Sequence, residues 1–85
     1  MNYSVKIQEI IGKYRKDLYS EMEFQDALSS IIVTVTESEF SELRNYLIAS
    51  EGELERINYL IEKKYIKENY LEIISQIEEY LNKHL

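Results

Sequence analysis

Few side chains in this 85-residue chain could do chemistry, and their types and spacing set narrow limits. The single histidine, His84, lies one residue from the C-terminus, where chains usually fray. There is no cysteine, so neither a thiolate nucleophile nor a thiolate zinc site is available. The serines lack a histidine partner in a structured region, and no glycine-rich phosphate loop occurs. Glu51, Glu53 and Glu55 are the nearest approach to a carboxylate metal site. On a helix, residues two apart point away from each other, and the spacing matches no EF-hand loop. These carboxylates read instead as the solvated start of a helix, where acids complement the dipole. The expectation is a chain that is not an enzyme and has no catalytic, cofactor or metal site.

Basic residues raise a second possibility. Lys13, Arg15 and Lys16, with Lys63, Lys64 and Lys67, could touch phosphates, and Leu60-Ile-Glu-Lys-Lys-Tyr-Ile-Lys67 resembles the turn between two helices of a DNA-binding module. A net charge of −6 opposes a polyanion. Lysines at a helix C-terminus, favoured by the dipole, are the competing account, and no nucleic-acid partner is expected.

The charge is unevenly spread. Residues 1–16 hold four bases and one acid, residues 17–56 ten acids and two bases, and residues 57–85 four bases and five acids, giving +3, −8 and −1. The densest stretch, ESEFSELRNYLIASEGELER from Glu37 to Arg56, has six glutamates. Mixed signs would serve solubility with less self-repulsion, so a one-sided face suggests a basic partner. Tyrosine occurs eight times and tryptophan not at all. A tyrosine offers a large rigid contact area with a polar tip, which suits an interface anchor. The expected partner-binding residues are therefore Asp17, Glu23, Glu37, Glu39, Glu42, Glu51, Glu53 and Glu55, with Tyr19, Tyr46 and Tyr59 as anchors. Most of the remaining tyrosines read as half-buried core residues.

The elements that must position these groups are helical. Proline is absent, glycine occurs only at Gly12 and Gly52, and Glu, Lys, Leu and Ile dominate. Residues 3–18 place Ile7, Ile10, Ile11, Tyr14 and Leu18 on one stripe. Four capping-box patterns, at Ser20 to Glu23, Thr36 to Glu39, Ser50 to Glu53 and Asn69 to Glu72, predict further helix starts. The second helix would bury Phe24, Ala27, Leu28, Ile31 and Ile32; the third Phe40, Leu43 and Leu47. A fourth would bury Leu54, Ile57, Leu60 and Ile61, and a closing one Ile73, Ile74, Ile77 and Leu81. The β-branched run Ile31 to Thr36 has no strand partner and reads as a helix end and connector. The predicted fold is all-α, a single domain over 1–85 built as a compact bundle of four or five short helices. With 45% hydrophobic and 31% charged residues the chain should fold. The first twenty residues lack an apolar run, so neither a signal peptide nor a membrane span is expected, and a cytoplasmic location follows by default.

A cysteine-free, acidic, helical chain of this size, with tyrosines among its carboxylates as in Glu37 to Tyr46, resembles the small immunity proteins that bacteria make against nuclease toxins of contact-dependent growth inhibition systems and bacteriocins. The resemblance implies a basic RNase or DNase domain as partner, neutralised by tight stoichiometric binding. Two other readings stay open: a helical adaptor or regulator such as an antitoxin or anti-repressor, and a small DNA-binding regulator using the lysine-bearing turn.

Overall fold

The computed structural model describes residues 2–85, which form four helices and no strand: α1 Tyr3–Arg15, α2 Glu21–Thr34, α3 Ser41–Leu60 and α4 Lys63–His84, with a 3₁₀ turn at Ser38–Phe40 before α3. Each helix runs antiparallel to the one before it. The Tyr3 hydroxyl at the start of α1 lies 3.0 Å from the Thr34 carbonyl at the end of α2. Ser29 meets Glu51 and Gln25 meets Asn58 across α2 and α3. Asn58 meets Tyr70, and Tyr46 meets Tyr80, across α3 and α4. The four apolar stripes close on one core, in which Tyr14, Phe24 and Tyr70 cluster with ring centroids 5.5 to 6.5 Å apart.

Local chemistry explains the first two helices. The Asn2 side chain caps α1 by accepting from the Val5 N–H. The helix stops earlier than the stripe to Leu18 predicts, because Asp17 adopts φ 60°. The Leu18 N–H then bonds the Lys13 carbonyl and the Asp17 N–H the Tyr14 carbonyl, which is a Schellman ending with aspartate in the left-handed position. Leu18 is consequently 65% exposed rather than inward. Ser20 and Glu23 form the predicted capping box, with the Glu23 N–H donating to Ser20 Oγ and the Ser20 N–H to Glu23 Oε1. The α2 helix ends at Thr34 and Val35 is buried in the connector, so the β-branched run does end the helix.

The other three capping patterns do not open helices. Thr36 bonds the adjacent Glu37 carboxylate, and α3 begins at Ser41 without a side-chain cap. Ser50 lies mid-helix and buried, its hydroxyl donating back to the Tyr46 carbonyl. Asn69 likewise donates to the Tyr65 carbonyl within α4. At Ser50 and Asn69 the reason is burial: Leu43, Leu47, Leu54 and Ile57 form one stripe that continues past Ser50, and Tyr70, Ile74, Ile77 and Leu81 one that continues past Asn69. Packing of an apolar face outweighs a local capping option that helps a helix by about 1 kcal/mol. The break falls instead at Ile61 and Glu62, which are extended, with Ile61 packed against the core. Leu60, expected inward, is 70% exposed. Lys63 and Lys64 occupy the first turn of α4 rather than a helix C-terminus, opposing the dipole there.

Candidate functional site

The sequence-predicted residues divide into those the fold already uses and those it leaves free. Asp17 pairs with Lys67, tying the α1–α2 turn to α4. Tyr19 packs partly against the core, with Lys13 Nζ 5.4 Å from its ring centroid. Glu23 belongs to the capping box. The Tyr3 hydroxyl donates to the Glu37 carboxylate, 2.6 Å from the nearer oxygen and 3.0 Å from the other. That bond holds the Glu37 carboxyl below its ordinary pKa and, together with burial, raises the Tyr3 phenol. Glu51 accepts from Ser29, and Glu53 lies 3.4 Å from Arg56. Among the described residues, Glu39, Glu42 and Glu55 have neither a hydrogen-bond nor an ion-pair partner, and all three are exposed.

The three proposed anchors also differ. Tyr46 is stacked on Tyr80, centroids 4.0 Å apart and planes 10° from parallel, and Tyr80 in turn lies 4.4 Å from His84. Desolvation raises the Tyr46 phenol, as expected for a half-buried ring. This three-ring ladder was not anticipated; the only sequence cue is the i, i+4 spacing of Tyr80 and His84. Tyr59, by contrast, is 80% exposed at the last turn of α3.

Helical geometry shows what surrounds Tyr59. At 100° per residue, Ile48, Gly52, Glu55 and Tyr59 lie on one line along α3, opposite buried Leu43, Leu47, Leu54 and Ile57. This crest points away from the bundle. Between Ile48 and Tyr59 it dips at Gly52, and a hollow of about 340 Å³ opens there, lined by Gly52, Glu55, Arg56, Tyr59 and Leu60. A neighbouring groove of about 380 Å³ runs between α3 and α4, with Ile57, Leu60, Ile61 and Ile73 as its apolar part and Glu53, Arg56 and Glu72 among its polar residues. Arg56 and Leu60 border both.

The lysines gather elsewhere. The α1–α2 turn and the start of α4 border one hollow that brings Asp17, Leu18 and Tyr19 beside Lys63, Ile66 and Lys67. Lys64 Nζ lies 5.1 Å from the Tyr65 ring centroid. Because α4 packs antiparallel along α3, the lysine-bearing segment forms a helical hairpin rather than the steeply crossed pair of a helix-turn-helix.

Among the described residues no three His, Asp or Glu side chains gather as metal ligands. No helix is long and apolar enough to cross a membrane. No protein-family model, curated protein or solved structure matches the chain.

Proposed function

We propose that the chain is an immunity protein that binds and neutralises a basic toxin domain, a nuclease by preference. The carrying observation is the outward crest of α3. It joins a freely exposed tyrosine, Tyr59, flanked by an exposed leucine, Leu60, to a carboxylate with no partner among the described residues, Glu55. Glu39 and Glu42 add two more uncommitted charges near the start of the same helix. A nuclease holds phosphates with Lys, Arg and His, so an acidic surface can occupy that field and keep substrate out. Complementary charge also speeds encounter, which matters when a free toxin molecule is harmful.

The test is isothermal titration against a basic nuclease domain encoded beside this gene, with stopped-flow association in parallel. Binding should approach one to one. Reversing Glu39→Lys with Glu42→Lys should slow association, because rim charges steer encounter. Tyr59→Ala should accelerate dissociation, by about 1 to 4 kcal/mol if Tyr59 is a hot spot. Absence of binding to that neighbour would remove the immunity reading. The adaptor reading draws on a different observation, the exposure of Leu18, Met22 and Leu60 around the two turns. It gains ground if substitutions there abolish partner binding while the glutamate reversals do not. The hairpin packing of α3 on α4 weighs against a DNA-binding regulator, and gel shifts with duplex DNA at physiological salt should show no discrete band.

A further inference from the structure

We infer that the dip at Gly52 on the crest of α3 receives an apolar side chain from a basic amphipathic helix of the partner protein. This rests on the basic-partner reading above and specifies how the contact is made. Gly52 is the starting point because nothing among the described residues accounts for it. A mid-helix glycine sacrifices stability relative to alanine. Its φ is not positive, so the backbone makes no special demand. A Cβ built at Gly52 meets nothing within 4 Å, so no neighbouring element needs the room. The room faces outward, into the hollow shared with Glu55, Arg56, Tyr59 and Leu60.

The walls of that hollow specify the occupant. Tyr59 and Leu60 are among the most exposed large apolar side chains of the molecule, and both stand beside the one crest position without a side chain. An inserted leucine, methionine or phenylalanine would bury these two surfaces at once. At the hollow, Glu55 has no partner among the described residues, the charge of Arg56 is already shared with Glu53, and Glu51 next along the helix adds a further negative charge. Lysines or arginines flanking the inserted side chain would therefore meet unpaired carboxylate. A second copy of this chain brings the same acidic set and would meet like charge, which disfavours a symmetric contact along this crest.

Nitrogen-15 NMR titration tests the inference, using a synthetic leucine–lysine peptide whose leucines fall at helical spacing and a scrambled peptide of identical composition. The ordered peptide should shift the amides of Gly52, Glu55 and Tyr59 first. Gly52→Leu, which fills the dip, should weaken it about tenfold or more, the size of a hot-spot loss. Gly52→Ala should weaken it less, and Gly12→Ala, the same change at an equally open position on α1, should leave affinity unchanged. The scrambled peptide should bind at least tenfold more weakly. Thermal melts should show all three variants folded and no less stable than the parent.

Shifts centred on Glu39 and Glu42, or undiminished binding by folded Gly52→Leu, would overturn the dip while leaving the basic-partner reading standing. No binding of either peptide at low salt would overturn the dip, and failure of the basic toxin titration as well would remove the parent reading. Concentration-dependent dimerisation that Gly52→Leu abolishes would show that a second copy is the occupant, and so refute the basic partner there.

Discussion

Removing one hydroxyl from the core, by Tyr70→Phe, tests whether the polar link between α2, α3 and α4 is a net stabiliser. Tyr70 is fully buried. Its hydroxyl accepts from Asn58 Nδ2 at 2.7 Å and donates to Gln25 Oε1 at 3.2 Å, while Asn58 also donates to Gln25 at 2.9 Å. Phenylalanine keeps the ring and its contacts with Tyr14 and Phe24 and deletes two of the three bonds. The third survives, so neither Asn58 nor Gln25 is left without a partner. The loss should therefore be that of ordinary hydrogen bonds, about 1 to 2 kcal/mol, rather than the larger penalty of an orphaned buried group. For a domain of this size that lowers Tm by about 4 to 16 °C. The pH profile gives a second reading. Burial raises the Tyr70 phenol from 10.0 to about 12, against a lowering contribution from the Asn58 bond. Between those values the unfolded chain releases a proton that the folded chain keeps, so stability is complete below pH 10 and falls as pH rises towards 12. The loss is bounded at about 1 to 3 kcal/mol for this tyrosine. Tyr14, also raised chiefly by burial, remains in the variant, so the alkaline loss should shrink without vanishing. Urea unfolding at pH 7 and at intervals from pH 9 to 12 makes the measurement. A variant as stable as the parent at pH 7, with an unchanged alkaline slope, would refute the role given to this network.

Ser50→Ala should stabilise slightly, by about 0.5 kcal/mol, since alanine is the better mid-helix residue and the back-bond to Tyr46 is optional; a loss above about 1 kcal/mol in denaturant unfolding would restore a capping role for Ser50. Ser20→Ala should cost about 0.5 to 2 kcal/mol in the same assay, because here the capping box is formed. Glu37→Gln should flatten acid unfolding. The Glu37 contribution is complete above the ordinary carboxylate value of 4.5 and is lost as pH falls through its lowered folded value, so parent and variant melts should converge at the acid end.

The capping signals show where sequence reasoning reached the fold and where it stopped. All four patterns are chemically competent, and Ser20 and Thr36 both lie where the apolar stripe breaks, but only Ser20 forms its box, since Thr36 bonds the adjacent Glu37 carboxylate instead. At Ser50 and Asn69 the stripes continue across the motif, and burial of Leu54, Ile57, Ile74 and Ile77 decides for one long helix in each case. The real break at Ile61 and Glu62 has no glycine, proline or cap to announce it. It follows from a tertiary requirement, that α4 must turn back to cover α3. Helix existence and most of the core were legible because 3.6-residue periodicity is a local record of burial. The α3–α4 boundary was not, because it records packing between elements.

The acidic segment carries the same lesson for the candidate site. Counted along the chain, the eight carboxylates expected to bind the partner look like one polyanionic face. In three dimensions Asp17, Glu23, Glu37, Glu51 and Glu53 each have a partner within the molecule, Lys67, the Ser20 backbone, Tyr3, Ser29 and Arg56 respectively. A carboxylate so engaged has fewer lone pairs to offer and must lose a bond before it can offer them. Glu39, Glu42 and Glu55 carry no such cost, and among the expected anchors Tyr59 is free where Tyr46 is stacked. Charge reversal at Glu37 or Glu51 would therefore confuse folding with binding. At Glu39, Glu42 and Glu55 it should not, and a basic partner's association rate should respond to those three more than to the other five.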